Sequence, residues 1–240
     1  MPEMADLHNH ALFGVDDGAQ TMALCEQVLA AAYGAGIRIV CFTPHYNPTL
    51  YACPVDELRR RYEKICAFAA KHLPGMQLYL GNEVFGYPGC VQALETGKCI
   101  PLGNGQAVLV EFSPNVIYRE MRNCFLSLFA AGYIPVLAHA ERYQCLLRDP
   151  NLIEELADMQ VGIQINAKTL LQRFRFSTYR FAHRLLRKGL IDIVASDTHG
   201  QDGCITAMQE AYHKVEKKYG ASCAKRVFYT NPKRFLSVKF

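Results

Sequence analysis

His8 and His10 are separated by a single residue, and on an extended strand that spacing turns both imidazoles to the same side, within reach of one metal ion. Asp17 lies a few residues beyond, and His45, Glu83, Glu111, His139, Asp197 and His199 continue the series along the chain. Buried separately, so many carboxylates and imidazoles would meet desolvation and mutual repulsion; a divalent cation at their centre compensates them. The mixed donor set suits manganese, iron or zinc better than calcium or magnesium, and the scattered cysteines offer no thiolate cluster. At about three to four protein ligands per open catalytic ion, this set suffices for two or three ions. Glu83, central in the order, is the candidate bridging carboxylate. Such a centre supports metal-assisted hydrolysis, with water activated toward hydroxide near neutral pH.

The elements that must gather these residues are legible as an alternation. Short apolar, β-branched runs at Met4 to His8, Ile37 to Phe42, Met76 to Leu80, Ala107 to Val110, Ile134 to Ala138, Val161 to Ile165 and Ile191 to Ala195 give seven candidate strands. Between them, Thr21 to Tyr33, Val55 to His72, Arg119 to Ala131, Asn151 to Met159, Tyr179 to Arg187 and Gly203 to Tyr219 carry apolar residues at helical spacing. The segment from Gly86 to Gly105 fits less well and reads as an irregular crossover with a short helix at Val91 to Glu95. The alternation predicts an α/β fold, a single distorted (β/α)7, TIM-like barrel over residues 1–240. Active sites of such barrels lie at the C-terminal ends of the strands. There the sequence places His8 and His10, then His45, Glu83, Glu111, His139, Asn166 and finally Asp197 with His199.

Composition narrows the class. Half of the 240 residues are apolar and 20% are charged, which excludes disorder and fibre. A formal charge of +4, from 26 basic and 22 acidic residues, is too mild for a dedicated nucleic-acid protein. The ten cysteines form no CxxC pair, and several lie in apolar runs as small buried hydrophobes. The N-terminus lacks a basic and apolar leader, and no apolar run approaches the roughly 18 residues of a membrane span. The expectation is a cytoplasmic protein without membrane insertion.

Taken together, Asp6-Leu7-His8-Asn9-His10, Val15-Asp16-Asp17-Gly18, Thr43-Pro44-His45, Glu83, Val110-Glu111-Phe112-Ser113, Ala138-His139-Ala140-Glu141-Arg142-Tyr143 and Ala195-Ser196-Asp197-Thr198-His199 resemble the polymerase-and-histidinol-phosphatase (PHP) superfamily of metal phosphoesterases. The Asp-Asp-Gly, Glu-Phe-Ser and Glu-Arg-Tyr runs point to its bacterial tyrosine phosphatases of capsule and exopolysaccharide loci. The resemblance implies a distorted seven-stranded barrel of the PHP type with a three-metal centre, often manganese. His8, His10, Asp17, His45, Glu83, Glu111, His139, Asp197 and His199 match the family's ligands, and Arg142 matches a catalytic arginine. It further implies a phosphotyrosine protein as substrate, resembling the tyrosine-rich tail of a bacterial tyrosine autokinase, and a role in regulating polysaccharide synthesis. Tyr46 follows His45 where a second histidine is frequent, and Ala140 stands where proline is usual; neither is a ligand position, though both bear on substrate preference.

The chemistry of phosphate monoesters fits this set. A metal-bound hydroxide attacks phosphorus in line, and the planar fork of Arg142, three residues beyond His139, neutralises developing charge. A phenolic leaving group, with a pKa of about 10, needs little protonation, so a general acid is optional; Asp16 is the candidate, although it reads equally as a turn residue before Gly18. Arg173 and Arg175, interleaved with Phe174 and Phe176, are candidates for a rim that receives an anionic phosphopeptide, against a solvated helix face. Cys53 and Arg59 have the spacing of thiol-dependent phosphatases, but the stretch between them holds no glycine and places Asp56 and Glu57 where phosphate would sit. Competing readings are a histidinol-phosphatase-like small-molecule enzyme, a metal amidohydrolase and an oligonucleotide phosphoesterase.

Overall fold

Nine parallel strand segments form the centre of the molecule, whose computed structural model describes residues 3–172, 174–200 and 203–239. They are β1 (Met4–Asp6), β2 (Ile37–Phe42), β3 (His45–Tyr46), β4 (Gln77–Leu80), β5 (Glu83–Phe85), β6 (Ala107–Glu111), β7 (Ile134–Leu137), β8 (Gly162–Asn166) and β9 (Ile193–Ala195). They pair as β1-β2-β4 and as β3-β5-β6-β7-β8-β9. The seven expected runs are all strands, and β3 and β5 are additional. Pro44, without an N–H, interrupts the ladder after β2, and Gly81-Asn82 interrupts it after β4. Register survives the break, because Phe42 pairs Leu80 before it and His45 pairs Glu83 after it at the same offset. Beyond the last paired strands, Asn9 bridges Thr198 in parallel and Asp197 N–H donates to the His8 carbonyl (2.9 Å), so the sheet curls until its two ends meet.

Alternation along each strand sorts the core into two layers. Ala5, Ile39, Cys41, Ala107, Leu109, Val136, Ile193 and Ala195 face inward as one buried cluster, and their small size lets opposed strands approach. Val40, Phe42, Val108, Val110, Leu137, Ile163, Ile165 and Val194 face outward against the helices. The principal helices are α1 (Met22–Gly34), α2 (Val55–His72), α3 (Cys90–Glu95), α4 (Tyr118–Ala130), α5 (Gln144–Arg148), α6 (Asn151–Asp158), α7 (Phe176–Lys188) and α8 (Cys204–Tyr219). Thr21 caps α1 by accepting from Leu24 N–H (3.2 Å), and Gly189 ends α7 in the left-handed conformation. Among the described residues no helix is long and apolar enough to cross a membrane.

One element was not expected. After Gly220 the chain continues through helical turns at Ala221–Lys225, Arg226–Thr230 and Asn231–Phe235, and carries Phe235 and Leu236 into the inner cluster at the N-terminal end of the strands. Phe235 packs so closely on Gly162 that a Cβ there would meet its ring at 2.9 Å.

Helices α7 and α8 lock through His183, whose Nδ1 accepts from Tyr219 Oη (2.7 Å) and whose Nε2 donates to the Leu170 carbonyl (3.3 Å). Burial, then the charges of Lys218, Lys214 and Arg187, push its pKa down to about 4 from 6.5. The unfolded chain therefore binds the extra proton in that window, and stability falls as pH drops from about 6.5 toward 4. His183→Gln removes this dependence. In denaturant unfolding at pH 7 and pH 5, the wild type loses on the order of 2 kcal/mol relative to the variant.

Candidate metal centre

The inward series of two strands runs directly into ligand positions: Ala107 and Leu109 lead to Glu111, and Ile193 and Ala195 lead to Asp197. Glu83 begins β5 and His45 begins β3, both just beyond the strand interruptions. The structure thereby brings all nine candidate ligands to one end of the curled sheet, in four overlapping groups of potential donors. These are His10, Asp17, His45 and His199; His8, His10 and Asp197; His8, Glu83 and His139; and His45, Glu83 and Glu111. Glu83 lies at the middle, with Oε2 at 3.1 Å from His8 Nε2, 3.2 Å from His10 Nε2 and 3.1 Å from His45 Nδ1, and Oε1 at 3.0 Å from His139 Nε2. Exposure grades outward, from Glu83 at 0% to Asp17 at 49%, so the cluster opens on one side only.

These residues fit divalent metal on the evidence of their own atoms. Both oxygens of Glu83 and Nδ1 of His45 are buried without a hydrogen bond, although the distances would allow one, because lone pairs and ring edges are not aimed at each other. His8 Nε2 and His10 Nε2 stand 3.1 Å apart, a contact between two acceptors unless one is protonated. Burial alone would push Glu83 up, yet His8, His10 and His139 hold it well below the usual carboxylate range. Likewise burial would lower His8, and the Glu83 and Asp197 charges raise it. The imidazole and carboxylate charges thus offset one another, and a cation in their midst would supply the same compensation.

Around this cluster sits a layer of orienting groups. Asp16 Oδ2 accepts from His10 Nδ1 (2.8 Å) and from His45 N–H (3.0 Å), and Oδ1 accepts from Gly18 N–H (3.0 Å). Burial would raise its pKa, but His10 and these amides leave it lowered, so the carboxylate is an acceptor that aims His10 and a poor proton donor. Gly18 is required by contact, since a Cβ would lie 1.9 Å from the His10 carbonyl oxygen. Arg142 Nη2 donates to Asp197 Oδ2, and Glu141 is turned away, accepting from Asn166 N–H (2.9 Å) and Thr169 Oγ1 (2.8 Å). His139 and Asp197 take positive φ values of 32° and 53°, strained conformations for residues with side chains.

A cleft of about 620 Å³ opens beside the cluster, lined by Arg142, Asn166, Lys168, Arg175, Asp197 and His199 among others. Against known families, residues 4–237 match the model for capsular polysaccharide synthesis proteins CpsB/CapC. The chain belongs to the CpsB/CapC family. It is 30% identical to the tyrosine-protein phosphatase CpsB of Streptococcus pneumoniae, over 97% of this chain and 98% of that one. With the tyrosine-protein phosphatase YwqE of Bacillus subtilis it shares 30% identity over 91% of this chain and 86% of the relative. A solved structure from work on YwqE of Bacillus subtilis and CpsB of Streptococcus pneumoniae, described as unique metal-dependent tyrosine phosphatases, superposes with a TM-score of 0.89. That match has 29% identity and covers 99% of this chain and 96% of the other.

For this CpsB/CapC member the remaining sequence candidates separate. Arg175 lines the cleft, whereas Arg173 lies outside the described residues. Cys53 precedes α2 and Arg59 is exposed within that helix, so no loop of amides cradles an anion; burial also raises the Cys53 thiol. Glu57 pairs with Arg60 and Arg61 (2.7 Å each). Three further polar residues stand at the site, of which Asn166 alone was expected there, as a strand-end residue without an assigned role. Gln164 is wholly buried within reach of His8, Tyr143 Oη stands 3.3 Å from His139 Nδ1, and Asn166 Nδ2 donates to Asp197 Oδ2 (2.7 Å). Gln164 had a visible signal, a polar side chain inside the apolar run of β8.

Loss of the central carboxylate is the direct test. With manganese at about 100 times its Kd, one bound ion stabilises the wild type by about 2.7 kcal/mol. Glu83→Gln is expected to lose most of that gain, read as a smaller manganese-dependent rise in Tm.

Proposed function

We propose that the protein is a metal-dependent protein-tyrosine phosphatase acting on phosphotyrosine in a bacterial tyrosine autokinase and regulating capsule or exopolysaccharide synthesis in the cytoplasm. The observation that carries this reading is Arg142, half-exposed on the cleft and bonded to the carboxylate that also faces His8 and His10. A planar cation beside a metal-binding cluster is suited to the oxygens of a phosphoryl group. His8, His10, Asp17, His45, Glu83, Glu111, His139, Asp197 and His199 would hold two or three ions, manganese first and iron or zinc as alternatives. Bound there, the ions supply Lewis acidity, lowering the pKa of water and offsetting phosphate charge.

The chain's own residues do the rest. Arg142 binds an equatorial oxygen and fixes the phosphoryl group against the cluster, with Lys168 and Arg175 adding positive charge along the cleft. Asp16 aims the His10 imidazole, and phenolate leaves without a dedicated general acid because its conjugate acid has a pKa of about 10. In architecture the protein is a single (β/α)7 barrel of the PHP type, with β2 and β3 counted as one strand and β4 and β5 as another, as their continuous register supports.

Metal-stripped protein is expected to release phosphate from a tyrosine-phosphorylated peptide only after manganese is added, and to leave histidinol phosphate essentially untouched. Release from histidinol phosphate alone would move the protein to a small-molecule substrate. In the same assay Cys53→Ser retains activity and His8→Ala abolishes it. Arg142→Ala is expected to lower kcat/KM on the order of 100-fold by removing a donor to the transition state, with Arg142→Lys intermediate.

A further inference from the structure

With β2 and β3 taken as one run and β4 and β5 as another, every strand run of the curled sheet carries a candidate metal ligand in it or just beyond it except β8. Its inward residues are Gly162, Gln164 and Asn166, while Ile163 and Ile165 face the helices. Gln164 is wholly buried in a position where a leucine or methionine would fill the same volume without the cost of burying an amide. We infer that Gln164 is a positioning residue that orients three candidate ligands, His8, His139 and Asp197, from the one strand that carries none; this rests on the reading of the cluster as a divalent-metal centre.

The argument follows from hydrogen-bond sense. Gln164 Oε1 accepts from the His139 backbone N–H (2.6 Å) and stands 3.1 Å from His8 Nδ1. A carbonyl oxygen can only accept, so His8 Nδ1 carries a proton, and Nε2, beside Glu83 and Asp197, is the nitrogen left to offer a lone pair to a bound cation. The same oxygen holds the amide of His139 in its left-handed conformation, which turns that imidazole toward Glu83. On the other side, Gln164 Nε2 donates to Asn166 Oδ1 (2.9 Å), which leaves Asn166 Nδ2 to donate to Asp197 Oδ2 (2.7 Å). Oδ1 of Asp197 is thereby left for the His8 and His10 side. Reversing the Gln164 amide would set donors against His139 N–H and His8 Nδ1–H, and an acceptor against Asn166 Oδ1. One orientation alone satisfies all four contacts, so a single side chain fixes a tautomer, a strained backbone and a carboxylate rotamer. Groups that orient metal ligands in this way change metal affinity or activity by about 10–100-fold when removed.

The test reads metal binding and needs no substrate, so it stands apart from the phosphatase assay. Calorimetric titration of the metal-stripped protein with manganese is expected to show Gln164→Leu binding about 10–100-fold more weakly than wild type. Gln164→Glu, whose carboxylate still accepts from both histidine N–H groups but no longer donates to Asn166 Oδ1, is expected to recover part of that loss. Equal affinity in wild type and Gln164→Leu would overturn the proposal, as would Gln164→Glu binding as weakly as Gln164→Leu, which would mark a packing role only. A wild type that binds no divalent ion would overturn the metal-centre reading and this proposal together. The zinc-loaded wild-type protein gives a readout that does not depend on any variant folding. Its imidazole 15N resonances should show His8 protonated at Nδ1, and an unprotonated Nδ1 refutes the inference.

Discussion

Glu83 is a carboxylate with no exposed surface, surrounded at about 3 Å by nitrogens of His8, His10, His45 and His139. Burying such a charge costs several kcal/mol even after relaxation, and an arrangement of this kind persists only if positive charge is held against it. Much of the fold can be traced to that demand. Convergence of side chains from so many points of the chain requires strands that end on one plane, which a parallel sheet curled on itself provides. It also requires the imidazoles to be held in one orientation, which Asp16, Gln164 and Tyr143 do by bonding the nitrogens not aimed at Glu83. Strained backbone at His139 and Asp197, worth of order 1–3 kcal/mol each, is tolerated because the surrounding hydrogen bonds leave no relaxed alternative.

The interruptions in the second and third strand runs belong to the same logic. A strand that continued through Pro44 would have to donate from a nitrogen that has no hydrogen. Instead Thr43 N–H bonds the Asn9 carbonyl (2.8 Å), drawing the chain toward the strand that carries His8 and His10. Asn82 then spans the gap, its Nδ2 on the Pro44 carbonyl (2.9 Å) and its Oδ1 on Ile100 N–H (3.0 Å). His45 and Glu83 resume pairing immediately beyond, at the depth where their side chains meet.

The convergence of the candidate ligands was legible because all but Asp17 are polar residues at or just beyond the end of an apolar, β-branched run, and the barrel rule says where such ends converge. The helix Val55–His72 was likewise marked at both ends by its apolar periodicity. What sequence could not show was the direction of contacts. Asp16 reads as a turn residue or as an acid, and only the approach of His10 and the His45 amide distinguishes an orienting carboxylate. No element was expected after Tyr219, yet proline in the first turn of a helix loses nothing, and the segment from Asn231 carries Phe235 under the sheet. Gln164 stands out as one polar residue in a run of β-formers, but its role was not legible because its partners are 156 and 25 residues away.

Asp197 shows how the two halves of the site are joined. Its Oδ1 stands 3.3 Å from His8 Nε2 and 3.6 Å from His10 Nε2, while its Oδ2 accepts from Asn166 and from Arg142. Burial would raise this carboxyl, but His8 and Arg142 hold it at about 2, so it remains an anion that serves both sides. Since a carboxylate is rigid and planar, turning Oδ1 toward the histidines fixes where Oδ2 and therefore the guanidinium must lie. Glu141 is no second anchor of that kind, since its Oε1 accepts from Asn166 and Thr169 and its buried Oε2 has no hydrogen-bond partner. The distance between the cluster and the Arg142 guanidinium is thus set by one side chain held by the first strand, the sixth run and the last. A shift in any of them moves the guanidinium and the candidate ligand together, which keeps their separation constant.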